Sequence, residues 1–263
     1  MKYLFDDKER IVEDVTSRDR RAFFLDYDGT LTPLVGDSQK ASLFPKYRKV
    51  IASLLQNEKH FVCIISGRAI EQLQGFIGVK GLILAGNHGM EIAGPDISYV
   101  NNGALRAKTL LREIAQMLRE KLSDFDGVLV EDKGFTVSVH YRMLRVTHHP
   151  RLKELFFRQM ERFLTSNTVV VTRGKRVLEV RPNVVWDKGS AVKWILGRLS
   201  DQLSGGRPYP IYMGDDETDE DAFRALKGRG LTILVSPRIR ESEAAYFIRN
   251  VNEVYRFLDL FVG

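Results

Sequence analysis

Residues 23–33 read FFLDYDGTLTP. An apolar run of this kind reads as a buried strand, and a buried strand has no structural need for carboxylates at its end. Asp26 and Asp28 stand at spacing i, i+2, so on an extended chain they point to the same side. Like charges so placed repel unless a metal ion or a phosphate-binding environment lies beside them. D-G-T is also an ordinary turn signal, and a single strand-end Asp is commonly a turn former. The reading therefore depends on what other strand ends bring to the same place.

Short apolar runs alternate with amphipathic stretches along most of the chain, which predicts parallel βαβ units and an α/β fold. Strands are expected at 22–26, 61–66 and 82–86, with helices at 45–57 and 69–76. A Gly- and Asn-rich stretch then runs through 101–103. Between 103 and 182 the pattern changes to a long helix (104–122), strands at 127–131 and 136–142, a helix at 150–165, and strands at 168–172 and 176–180. One helix plus two strands, twice over, predicts a small α+β domain with helices on one face of its sheet. It is inserted in a main domain formed by 1–102 and 183–263. The α/β rhythm resumes with a helix at 187–201, a Ser-Gly-Gly turn, strands at 210–214 and 231–235, and helices at 218–227 and 251–261.

The chain has 263 residues, 44% hydrophobic and 28% charged, the composition of an ordinary globular protein. It contains no run of about 18 apolar residues, so no membrane span is expected. Its N-terminus, MKYLFDDKERIVEDV, is charged where a secretory signal needs an apolar core. Cys63 is the single cysteine, which excludes an internal disulfide and suits a reducing cytoplasm. Set in FVCII, it reads as a small core residue. Forty Lys and Arg against 34 Asp and Glu give a net charge of +6, spread without a basic block. That distribution argues against nucleic acid and suits a small anionic substrate.

In open α/β sheets ligands sit beyond the carboxyl ends of the strands. Asp26, Asp28, Ser66, Asp215 and Asp216 all follow apolar runs and fall at that edge. Asp26 is then a candidate nucleophile toward phosphorus, and Asp28 the acid that protonates an alkoxide leaving group and afterwards activates water. Mg²⁺ takes oxygen ligands and only one or two protein carboxylates. Asp26 and Asp215 would suit it, with the main-chain carbonyl of Asp28. Lys188, at the head of a helix, would neutralise phosphoryl oxygens. Ser66, together with main-chain amides near Gly29 and Thr30, would donate hydrogen bonds. Each feature also has a plain structural reading: Asp215-Asp216-Glu217 as a solvated helix cap, Lys188 as a surface lysine, His148-His149 as a loop, Trp186 and Trp194 as helix packing. The conjunction at matching strand ends favours chemistry.

DYDGTLTP (26–33), SGR (66–68), WDKG (186–189) and GDDETDEDAF (214–223) resemble, in order, the four signatures of the haloacid dehalogenase-like (HAD) phosphatases. GNHGMEI (86–92), VSVHYR (137–142) and GKRVLEVRP (174–182) are similar to signatures of the trehalose-6-phosphate phosphatases within that superfamily. The resemblance spans about residues 20 to 260. It implies a Rossmann-like core with an inserted mobile cap, Mg²⁺ as cofactor, Asp26 as nucleophile and Asp28 as acid/base. Asp26, Asp28 and Asp215 match the metal site, and Thr30, Ser66, Gly67, Arg68 and Lys188 the phosphate site. Asp216 and Asp219 match the supporting acidic cluster. Sugar recognition would fall to Glu131, Lys133, His140, Arg142, Lys175 and Glu179, with Asn87 and His88. The implied reaction is hydrolysis of trehalose 6-phosphate, with a separate synthase as a possible partner. Sucrose, glucosylglycerate or mannosylglycerate phosphate are the alternative substrates, and a silent sugar-phosphate-binding domain the alternative outside catalysis. Glu179 interrupts the apolar run VLEV and is expected to have a buried partner.

Overall fold

A computed structural model describes residues 1–34, 41–203 and 206–262. The chain divides into two compact units, residues 1–99 with 186–263, and 100–185.

The first unit is built on a nine-stranded sheet. Its strands are β1 (Lys2–Tyr3), β2 (Arg21–Asp26), β3 (His60–Ile65), β4 (Ile83–Gly86), β5 (Glu91–Gly94), β6 (Ile97–Val100), β11 (Tyr209–Gly214), β12 (Leu231–Val235) and β13 (Tyr246–Ile248). They lie in the order β1-β13-β12-β11-β2-β3-β4-β5-β6. Pairing is parallel from β1 through β4 and antiparallel between β4 and β5. β2 lies centrally and all of its residues are buried. Its alternating side chains feed two cores: Phe23 and Leu25 pack on one face, Ala22 and Phe24 on the other. The first face is covered by α1 (Lys8–Ser17), α2 (Pro45–Leu54), α3 (Ile70–Ile77) and α8 (Val251–Leu258). α6 (Lys188–Gln202) and α7 (Asp219–Leu226) cover the second. A strand buried on both faces must be apolar throughout, which is why the quoted run is unbroken up to Asp26.

Several elements differ from the sequence reading. The Gly- and Asn-rich stretch before residue 101 contains β5 and β6, and α1, β1 and β13 were not anticipated. The Ser-Gly-Gly turn falls largely on residues 204–205, outside the described residues. His148 closes a short 3₁₀ turn and His149 opens a helix rather than sitting in a loop. Cys63 is fully buried, and burial pushes its thiol up. Trp186 and Trp194 both pack on Tyr99, with ring centroids 4.9 and 4.8 Å away. No helix among the described residues is long and apolar enough to cross a membrane.

The second unit has an antiparallel sheet of β7 (Leu129–Asp132), β8 (Val137–His140), β9 (Val169–Gly174) and β10 (Val177–Pro182), in the order β7-β8-β10-β9. Val137, Val139, Leu178 and Val180 pack with α4 (Asn102–Lys121) and α5 (His149–Thr165) in a core of their own. The alternate residues Glu131, Ser138, His140 and Glu179 share the other face, since Glu131 and Glu179 both register with Ser138.

At the amino ends of β2 and β3, buried Arg21 donates to the carbonyls of Val15, Thr16 and Arg18, at the C-terminal end of α1. It also lies 2.8 Å from His60 Nε2. A guanidinium can only donate, so Nε2 accepts and the ring proton sits on Nδ1, facing the Leu54 carbonyl at 3.1 Å. Burial and Arg21 together hold the His60 pKa below its usual value. The native state therefore favours neutral His60 and the unfolded chain binds the proton more readily. This contribution is complete above the unfolded pKa near ~6.5 and is lost as pH falls through the lower native value. Urea unfolding at pH 7.5 and 5.5 should show a larger loss of stability for the native sequence than for His60→Gln; equal losses contradict the assignment.

Candidate active site

β2 and β11 are neighbours in parallel register, so Asp26 and the residues after Gly214 emerge at the same sheet edge. α6 begins there as well. Asp187 caps it through a bond from Ser190 N, which fixes Lys188 as the first helical residue. Lys188 Nζ lies 2.8 Å from Asp26 Oδ1 and 2.7 Å from Asp219 Oδ1, with Asp216 Oδ1 at 4.0 Å. Lys188, Asp26 and Asp219 are all buried.

Asp219 is held from every side. Its Oδ1 accepts from Lys188 and from the Tyr212 hydroxyl at 2.7 Å, and its Oδ2 from the main-chain amides of Asp215 and Asp216 at 2.9 and 3.0 Å. Both oxygens are thereby committed, which makes Asp219 the group that orients the lysine and the 215–216 loop. Arg240 donates to the Asp215 and Asp216 carbonyls of that loop. Tyr212 and Arg240 were missed from the sequence. Tyr212 sits inside an apolar strand and Arg240 in a polar loop, so neither carries a local signal.

Asp26, Asp216 and Asp219 face one ammonium, with the Asp215 carboxylate beside Asp26 and Asp219. Burial drives Asp26 well above the ordinary carboxylate range; Lys188 opposes this, and the other three carboxylates add to it. Burial also raises Asp219. For Lys188, burial alone would lower the pKa, but Asp219 and Asp26 raise it well above the usual value. Asp216 behaves differently. Desolvation works against its ionisation, yet Lys188 and Thr218 hold it at about 2.

Asp26, Asp215 and Asp219 each offer an oxygen within 4.8 Å of one another. With Asp219 committed, Asp26 and Asp215 remain as ligand candidates. An all-oxygen donor set carrying surplus negative charge fits a hard divalent cation such as Mg²⁺.

The remaining core residues form a second group. Asp28 takes a fork from Arg68, with Nε to Oδ2 and Nη2 to Oδ1 both at 2.6 Å. The Arg68 guanidinium also lies over the Phe76 ring, 4.9 Å from its centroid. Arg68 was assigned to phosphate from the sequence; here its charge is engaged by Asp28. Ser66 is buried, and its Oγ accepts from Arg68 N. The turn at Asn87 and His88, both at positive φ, docks on this segment: His88 N donates to Ser66 O and Asn87 N to Arg68 O, each at 2.8 Å. Glu91 steadies the turn by accepting from Asn87 Nδ2 and Ile70 N. The His88 ring covers Gly67, where a Cβ would lie 2.8 Å from it. Thr30 is fully buried, and its hydroxyl makes no hydrogen bond with the described residues.

In the second unit, Lys133 Nζ lies 3.1 Å from Glu179 Oε1, which Ser138 Oγ also approaches at 3.3 Å. This is the partner that the interruption of VLEV implied. His140 Nε2 is 2.9 Å from Glu131 Oε2, and Arg142 donates to the Lys175 carbonyl. The six residues thus group as Lys133 with Glu179, His140 with Glu131, and Arg142 with Lys175.

The profile of the trehalose-phosphatase family matches residues 24–251. The chain belongs to the trehalose-phosphatase family. It is 35% identical over 251 residues to trehalose-phosphate phosphatase B of Arabidopsis thaliana, covering 91% of this chain and 65% of that protein. A probable trehalose-phosphate phosphatase 3 of Oryza sativa subsp. japonica is also 35% identical, with coverages of 89% and 67%. The chain thus spans about two thirds of the length of these plant relatives. Among solved structures, the C-terminal domain of a C. albicans trehalose-6-phosphate phosphatase superposes with a TM-score of 0.80 at 26% identity, over 98% of this chain and 97% of that one.

Gly29 provides a direct test of the site's packing. Its φ is +98°, and a Cβ there would collide with the Asp215 carboxylate. Gly29→Ala should cost about 1–2 kcal/mol for the left-handed backbone alone and displace Asp215. Adding Mg²⁺ is expected to raise the melting temperature of the native chain and not that of the variant; an equal rise in both contradicts the assignment of Asp215.

Proposed function

We propose that this chain is a Mg²⁺-dependent phosphatase that hydrolyses trehalose 6-phosphate to trehalose and phosphate through an aspartyl-phosphate on Asp26. The observation that carries this reading is the buried Lys188 ammonium between Asp26 and Asp219, in a chain of the trehalose-phosphatase family.

Asp26 is the nucleophile. One of its oxygens attacks phosphorus, an Asp26 O–P bond forms, and the P–O bond to the sugar breaks. Lys188 holds the attacking carboxylate in place and offsets charge on the phosphoryl oxygens. Asp28 gives a proton to the departing sugar oxygen, since an alkoxide is a poor leaving group. In the second half Asp28 takes a proton from water, that water attacks phosphorus, and the Asp26 O–P bond breaks to release phosphate. The fork from Arg68 holds both Asp28 oxygens in place. Arg68 on this reading positions Asp28, and Thr30, Ser66 and the Gly67 amide contact phosphate. Mg²⁺, held by Asp26, Asp215 and the Asp28 main-chain carbonyl, would supply positive charge against the repulsion between carboxylate and phosphoryl group.

Phosphate and metal chemistry is common to all phosphomonoesters, so discrimination between sugars requires hydrogen bonds to hydroxyls. Glu131, Lys133, His140, Arg142, Lys175 and Glu179, with Asn87 and His88, take that role. The polar sheet face in residues 100–185 supports it, because its acids already sit beside donors and acceptors matched to hydroxyls. We place the reaction in a reducing cytoplasm, downstream of a separate trehalose-6-phosphate synthase.

Phosphate release with and without Mg²⁺ from trehalose 6-phosphate, sucrose 6-phosphate, glucose 6-phosphate and mannosylglycerate phosphate tests the proposal. Strong preference for trehalose 6-phosphate, dependent on Mg²⁺ and reduced at least about a thousandfold in Asp26→Asn, is expected. Preference for another sugar rejects the substrate, and turnover at the native rate by Asp26→Asn rejects the nucleophile.

A further inference from the structure

The carboxyl edge of the main sheet carries the acidic site; the amino edge is its electrostatic opposite. There the segments leading into β2, β11 and β12, together with the sides of α6 and α7, enclose a recess of about 240 Å³. Its rim carries Arg18, Arg20, Lys193, Arg207 and Arg229, with Asp19 as the single acid among the lining residues. Arg18 is occupied, by an ion pair with Asp14 and by the Tyr209 ring 4.6 Å beneath it. Arg20, Lys193, Arg207 and Arg229 have no carboxylate partner among the described residues. Elsewhere on the surface Arg10, Arg198, Arg224 and Lys227 each pair with a nearby acid; what sets the recess apart is that its cations come together around one depression.

Four cations from four separate segments, gathered without counter-ions around one depression, repel each other unless an anion joins them. Three of them are guanidinium groups, whose planar forks match phosphoryl oxygens in pairs. The four residues line one recess instead of following a groove, which favours a compact polyanion over an extended nucleic-acid strand. Buried Pro208 and Leu226 also line it, giving it apolar surface beside the charge. We propose that this recess is a second ligand site, separate from the phosphatase centre by roughly 20 Å, the length of a six-residue strand, and that it binds a small molecule carrying a pyrophosphate group. The inference does not depend on the reaction assigned to the other edge.

The test is calorimetric titration of the full chain with pyrophosphate, ADP and inorganic phosphate, in EDTA. Without a divalent cation the surplus of carboxylates at the carboxyl edge repels anions, so binding there is suppressed. Arg207→Glu/Arg229→Glu removes the recess's charge at two exposed positions. Arg224→Glu reverses an exposed charge outside it and controls for net charge. Saturable 1:1 binding of pyrophosphate, tighter than that of phosphate, is expected. The double variant should weaken it at least about tenfold while keeping its melting temperature and its phosphatase activity, and Arg224→Glu should leave it intact. ADP binding tighter than pyrophosphate would assign the group to a nucleotide; equal or weaker binding would assign it to free pyrophosphate. No saturable binding, or equal weakening by Arg224→Glu, overturns the proposal.

Discussion

One buried ammonium organises the phosphatase centre. Lys188 occupies the first position of α6, where the positive end of the helix dipole disfavours a cation by about 0.3–1 kcal/mol. It is also almost fully removed from water, which costs several kcal/mol for an unpaired ion. Two carboxylates at hydrogen-bond distance, Asp26 and Asp219, outweigh both penalties. The converse holds too. Neither of those buried acids has another cation within ion-pair distance among the described residues, so the lysine is the one ion-pair partner each has there.

That mutual dependence explains the supporting structure. Asp219 can hold Lys188 only if its own orientation is fixed, and the Tyr212 hydroxyl and the Asp215 and Asp216 amides fix it. The same bonds set the course of the loop that presents Asp215 to Asp26. Glycine at 29 and at 214 follows from the crowding: a side chain at the first would strike Asp215, and at the second Asp219. The cluster sets four carboxylates against one lysine, a deficit of positive charge; burial chiefly raises Asp26, and its three acidic neighbours add to that rise. That residual deficit is the physical reason a divalent cation suits it.

The chemistry was more legible in the sequence than its support. Asp26, Asp215 and Asp216 stood out because they follow apolar runs at strand ends and Lys188 because it heads a helix, whereas Asp219 came only from the family resemblance. Strand neighbours then bring them together, which needs only the parallel topology. Side chains that act through distant partners left no such mark. Arg68 and Asp28 lie 40 residues apart, and nothing local says that the arginine of SGR turns to the second aspartate of DYD. Edge elements were missed for a related reason. β1 has two residues and owes its existence to Tyr246 and Phe247, more than two hundred positions away. The β5–β6 segment carries Gly94, Pro95 and Asp96 at its centre, turn residues that masked the short strands on either side. The compact units divide at 99/100 and 185/186, three residues from each end of the 103–182 segment read as the insert, and Tyr99 and Trp186 stack within the first unit.

The claim that Lys188 is the counter-ion of two buried carboxylates is tested most directly by a double-mutant cycle on stability, using Lys188→Met, Asp219→Asn and the pair. Urea unfolding without Mg²⁺ would measure each. Lys188→Met alone should cost about 3–5 kcal/mol, because it strands two buried acids, and adding Asp219→Asn should recover part of that loss. If the two substitutions instead destabilise additively, the lysine does not hold those carboxylates and the account of the site is wrong.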